Sequence, residues 1–177
     1  SSIAQAPGDL AGRVVALEQG NALASAFTSL AGSLEALKTS IESGINSAIS
    51  SLNIETEGLA NIQATLISAG GSGNAANSLL DQRDKSISSI AEFVGLSADY
   101  QTRGDATLTL GSTGSGAILV ESKSAATLSA SFEDGRVNIY SSGGGALRPT
   151  KQITSGIIAG LVSAYEAISK TTRDLDG

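Results

Sequence analysis

Cysteine, histidine, methionine and tryptophan are all absent from this chain, and aromatic residues make up 3 % of it. Without histidine and cysteine there is no Ser-His-Asp or Cys-His nucleophile system, no zinc site of the usual kinds, and no haem or iron-sulfur ligation. An enzyme built from these residues would have only carboxylates, lysine, tyrosine or backbone amides to work with. A core limited to Ala, Leu, Ile and Val suits packed helices better than a ligand pocket. Basic residues are also scarce, 11 against 17 acidic, for a net charge of -6. That sign disfavours nucleic acid and anionic membranes as partners. No apolar run reaches transmembrane length, and no basic segment followed by an apolar one opens the chain. A first residue other than Met, in a chain with no Met, reads as a segment of a longer protein with both terminal regions outside it.

What is present is Ala, Ser, Gly and Leu in helical rhythm. The 177 residues suffice for one good core, or for a helical body with a small annexe. From "PGDLAGRVVALEQG" to "NIQATLISAGG" the pattern is helical for about sixty residues, a rod of about 90 Å if continuous. Asp9 after Pro7 and Gly8 marks its start, and Gly70 and Gly71 its end. Phe27, Leu30, Leu34, Leu37 and Ile41 alternate steps of three and four. A second step of four to Ile45 is a stutter, and the stripe continues through Leu52, Leu59, Ile62 and Leu66. Gly58 permits a bend. "GGSG" at 70–73 then closes an antiparallel pair with the helix "SLLDQRDKSISSIAEFVG".

After Gly95 the period becomes alternating. "SADYQT" and "ATLTLG" form a hairpin; a three-residue loop at Arg103-Gly104-Asp105 sets Tyr100 against Leu108 and Ala98 against Leu110. "GAILVES" is a further strand. "TLSASFEDGRVNIYS" is a hairpin turning at Asp134-Gly135, with Phe132 opposite Val137 and Ala130 opposite Ile139. "SSGGG" ends the sheet region, and "QITSGIIAGLVSAYEAISKTTRDLDG" returns to helix. The expected fold class is therefore mainly α: an elongated helical bundle with a long rod-like helix and a small antiparallel β region inserted before the last helix (α+β). Residues 1–95 form the rod, 96–147 a small β-hairpin subdomain, and 148–177 the returning helix. The β region is expected to point outward, because both hairpin tips are polar. No large exposed apolar patch is evident, so the 177 residues are expected to be a monomer.

Few residues invite a chemical reading. The glycine clusters at 70–73, 111–116 and 143–145 lack phosphate-loop spacing and its Lys. Asp174-Leu175-Asp176-Gly177 begins like a calcium loop, but the sequence stops there. Glu55 with Glu57, and Asp81 with Asp84, are paired carboxylates that read best as solvated helix faces. Arg83 is the anomaly, because the stripe of Leu80, Ile87, Ile90 and Val94 passes through it. A buried cation needs a partner, and Asp81, Asp84, Glu55 and Glu57 are the candidates. Arg83, Asp81 and Asp84 are thus the expected site, either fixing helix register near Leu59 and Ile62 or contacting a neighbouring subunit.

"LLDQRDKSISSIAEFVGLS" resembles the segment that follows the long helix in the flagellar hook-associated protein 1 family, the first hook-filament junction protein. "APGDLAGRVVALEQGNALASAFTSLAGSLEALKTSI", "INSAISSLNIETEGLANIQ" and "GSGNAANSLLDQRD" are similar to that family's preceding run. The resemblance spans residues 7–100 and returns at "SGIIAGLVSAYEAI", where relatives commonly carry an Arg close after the aromatic and this chain has Tyr165-Glu166. It implies a structural, non-catalytic protein without cofactors, extracellular in the bacterial flagellum after export by the flagellar type III apparatus. Its implied partners are hook protein, the second junction protein and copies of itself, with the export apparatus and a chaperone engaged through terminal regions outside these residues. Flagellin, another axial protein, or a helical adaptor or chemosensory coiled coil are the alternatives.

Overall fold

The computed structural model describes residues 7–70, 74–143, 148–150 and 152–176. Helix α1 (Pro7–Ser68) is unbroken over 62 residues, about 93 Å at the standard rise. Pro7 suits the first helical position because its missing N–H has no intrahelical acceptor there. At the other end Gly70 takes φ +71°, the left-handed cap that a side chain resists. Its N–H donates to the Ile67 carbonyl at 3.2 Å. The helix runs through Gly58 without ending. Gly71, Ser72 and Gly73 of the expected turn lie outside the described residues.

Helix α2 (Asn74–Phe93) packs back on α1. The stripe of Ile87, Ile90 and Val94 is buried there, as the periodicity predicts. Strands β1 (Leu96–Tyr100), β2 (Ala106–Leu110), β3 (Ile118–Glu121) and β4 (Ser124–Ala125) follow as an antiparallel sheet in that order. A second sheet orders β5 (Leu128–Glu133), β6 (Arg136–Ser141) and β7 (Arg148–Thr150). Helix α3 (Ile157–Asp176) then returns to α1. Leu161 lies beside Gly44, and Tyr165 beside Lys38, so α3 runs antiparallel to α1 and toward its N-terminus. The molecule is a helical body with a small antiparallel β region ahead of its last helix. Its core joins α1 from Ile45 onward to Ile90, Leu108, Leu119, Leu128 and Ile158.

The second hairpin has the expected register, with Phe132 opposite Val137 and Ala130 opposite Ile139. Asp134 and Gly135 take φ 51° and 71°, the pair of left-handed residues that a two-residue turn of this hand needs. The first hairpin differs. Tyr100 pairs with Ala106 and Ala98 with Leu108, so the connecting loop is 101–105 rather than three residues. A slip of two keeps every side chain on its face, so hydrophobic alternation cannot choose between the registers. The loop closes instead through its backbone, Gln101 N–H to Asp105 C=O at 2.8 Å and Gly104 N–H to Gln101 C=O at 3.0 Å. The sheet also extends past residue 147, because β7 pairs with β6 through Arg148–Ser141 and Thr150–Ile139. Pro149 is tolerated there because β7 is an edge strand.

Candidate functional site: the arginine seats and the open helix face

Arg83 is 8 % exposed on the inner face of α2. Its Nε and Nη2 donate to Asp84 Oδ1 at 2.9 and 2.6 Å, and its Nη1 donates to the Gly104 carbonyl at 2.5 Å. The guanidinium also lies 4.8 Å from the centre of the Tyr100 ring, within cation-π range. Of the four carboxylates that the sequence offers, Asp84 makes the bonds. Asp81 stands exposed on α2, while Glu55 and Glu57 stay on α1. The head of Arg83 thus leaves the α1/α2 seam and reaches the loop between β1 and β2. Asp84 balances its charge, and the loop carbonyl accepts one of its donors.

The second hairpin has a matching arrangement. Arg173 of α3 donates from Nη1 to the Asp134 carbonyl at 2.8 Å, and a Cβ on Gly135 would lie 2.8 Å from the Ser169 Cβ. Asp105, at the first tip, is 4 % exposed, and Ser122 donates to its Oδ2 at 3.4 Å. The tips therefore do not project from the rod, contrary to what their polarity predicts. Their backbone carbonyls are held by helix-borne arginines, while the side chains of Arg103 and Asp134 stay exposed and that of Asp105 is buried.

The remaining candidates are scattered. Gly111 and Gly114 take positive φ in the strand-to-strand loop of 111–117, while Gly144 and Gly145 of the last glycine cluster lie outside the described residues. Asp174 and Asp176 are on the last turns of α3, where Lys170 Nζ donates to Asp174 Oδ2 at 2.6 Å; Gly177 is not described. Among the described residues no three His, Cys, Asp or Glu side chains gather as a metal-binding group. Nor, among those residues, is any helix long and apolar enough to cross a membrane. Tyr165, 2 % exposed, packs its ring 5.3 Å from that of Phe132. Burial pushes its phenol pKa above the ordinary value, and the Glu42 carboxylate pushes it the same way.

Sequence reasoning passed over two amides on α1. Gln63, fully buried, donates from Nε2 to the Ala106 carbonyl and accepts the Ala106 N–H at Oε1, both at 3.0 Å. Asn53 does the same at Leu128, donating to its carbonyl at 2.9 Å and accepting its N–H at 2.8 Å. A signal for Gln63 was present: Ile49, Thr56 and Gln63 repeat at seven residues beside the apolar stripe, and all three are buried.

Among the described residues, none gives the N-terminal half of α1 such cover. Leu17, Leu23, Phe27, Leu30 and Leu37 are between 47 and 68 % exposed. Phe27, Leu30 and Leu37 are positions that the three-four spacing placed on one seam, and with Leu23 one turn before them they leave an open apolar stretch along the rod. The premise behind the expected monomer, that no such patch exists, does not hold.

The comparisons agree with this architecture. The chain matches, over residues 1–177, the family described as the flagellar hook-associated protein FlgK helical domain. No curated protein matches it. Among solved structures it is similar to the flagellar hook junction protein FlgK from Burkholderia pseudomallei, with a TM-score of 0.69 and 21 % identity. The match covers 89 % of this chain and 29 % of that one, so the chain spans under a third of the solved relative, and the likeness speaks to fold. With the family match spanning the whole sequence, the chain belongs to the FlgK flagellar hook-associated protein family, a family of structural flagellar proteins.

Proposed function

We propose that this chain is part of a junction protein between hook and filament, exported by the flagellar type III apparatus and working outside the cell. Its partners in this reading are hook protein, the second junction protein and further copies of itself. The export apparatus and a chaperone engage terminal regions beyond these residues. The observation that carries the reading is the open stretch from Leu23 to Leu37 on a long unbroken helix. An apolar face of that length is unfavourable in water unless something covers it, and in this reading an axial neighbour does. The solved relative is itself called a hook junction protein, which supports the same assignment.

Complementation tests it. In a flagellated strain whose own copy is deleted, the intact protein should restore filaments attached to hooks. A variant with Phe27→Glu, Leu30→Glu and Leu37→Glu should be secreted with unchanged helicity and still leave the hooks bare. Normal filaments in the deletion strain would remove the junction role. Normal filaments with the triple variant would remove the stripe from it.

A further inference from the structure

We propose that Asn53 and Gln63 are positioning residues that each lock one β sheet onto α1, so that both sheets move with the C-terminal half of the rod as a single rigid unit. In an antiparallel pair, residues alternate between hydrogen-bonded and non-hydrogen-bonded positions, and at the latter the backbone N–H and C=O point away from the partner strand. The two-residue turn at Asp134-Gly135 makes Glu133 and Arg136 a hydrogen-bonded pair. Counting back along the observed register, Leu128 opposite Ser141 is then non-bonded. The Leu128 backbone therefore faces the outer edge of β5, which is an edge strand. In the first sheet Gln101 N–H bonds Asp105 C=O, which makes the next pair, Tyr100 with Ala106, non-bonded. The Ala106 backbone points away from β1, and β3 begins its pairing only at Leu108.

Two buried residues are thus left with an N–H and a C=O side by side and no strand to meet them. A carboxamide sets an N–H donor beside a C=O acceptor in the same spacing, with a second N–H besides, and can stand in for a strand residue. Asn53 and Gln63 meet both groups at each position, at 2.8 to 3.0 Å. Each contact is bidentate, so it fixes direction as well as distance, which apolar packing does not. The two amides are ten residues apart on one helix, about 15 Å along its axis, and that spacing sets where the two sheets sit.

The test is amide hydrogen exchange on the intact chain. Gln63→Ala should speed exchange of the Ala106 N–H at least tenfold and change Leu128 less than twofold; Asn53→Ala should do the reverse. General loosening would raise both amides together, and that result overturns the proposal, as does unchanged exchange at the targeted amide. If either alanine variant fails to fold, Asn53→Gln and Gln63→Asn keep the amide and change its reach by one methylene. They should lose the same single protection with helicity intact, and full protection in those variants overturns the role of reach. Spin labels give an independent readout, because the chain has no cysteine of its own to compete. With labels at exposed Glu57 and Lys123, the distance distribution should broaden in Gln63→Ala and stay narrow in Asn53→Ala. A distribution that is narrow in both overturns the lock on the first sheet.

Discussion

The two halves of α1 share one apolar rhythm and meet opposite fates. In the C-terminal half Ile45, Leu52, Leu59 and Leu66 are fully buried, whereas in the N-terminal half Leu23, Phe27, Leu30 and Leu37 stand about half exposed. Periodicity identifies the face that needs covering; it does not supply the cover. Here α2, both sheets and the first half of α3 join the later half in one core, and α3, running toward the N-terminus, comes level with Lys38 at Tyr165. Burial therefore divides the helix into a stretch that folds this molecule and a stretch held open.

The sharpest test of that division is a pair of leucines. Leu52→Ala, at 0 % exposure, should cost about 2 to 5 kcal/mol, because a cavity replaces a fully packed side chain. Leu30→Ala should stay within about 0.5 kcal/mol. Thermal melts of the two variants measure both, and equal losses would dissolve the comparison. A second test asks whether the buried stretch extends to the hairpin tips. Gly135→Ala combines a positive φ with a Cβ 2.9 Å from Arg173 Nη1, and should cost about 1 to 3 kcal/mol. A two-residue insertion there should also lower the melting temperature, where a free tip would tolerate it.

Arg83 is the next step down. Arg83→Ala should cost about 2 kcal/mol, since it strips the Gly104 carbonyl of a charged donor and Tyr100 of its stacked cation. Arg83→Met refills the stem but leaves the carbonyl without that donor, so about 1 kcal/mol is expected. Denaturant titration separates the two. If both are silent, the contact with the loop carries no stability and a role toward a neighbouring subunit gains.

The smallest effect concerns pH. The Tyr165 pKa is raised in the folded state by burial and by Glu42, so the native protein holds this proton more tightly than the unfolded chain does. Its contribution is fully present below the unfolded value of about 10 and is lost as pH rises through the folded one. Stability should fall in that alkaline window, and Tyr165→Phe should flatten the fall. Melts from pH 8 to 11 decide it.

Much of the fold is legible because the signals are local. A continuous three-four spacing made one long helix, Asp134-Gly135 dictated a tight turn and its register, and the stripe of α2 named Ile87, Ile90 and Val94 as buried. The candidate site was legible only as an anomaly. An arginine on an apolar stripe announces a partner, but its partners are a neighbouring carboxylate and a carbonyl 21 residues away, and no carbonyl is distinguishable in a sequence. The first hairpin slipped for a related reason, because a shift of two residues leaves every side chain on its own face.

By itself, then, the sequence determined helix, strand and turn, together with the absence of histidine and cysteine chemistry, since each depends on side-chain type and near-neighbour spacing. Tertiary structure alone decided which half of α1 is covered, which carbonyls the arginines grip, and which backbone edges Asn53 and Gln63 complete. Those outcomes depend on main-chain groups that every residue carries alike, and on distances that exist only once the elements have met.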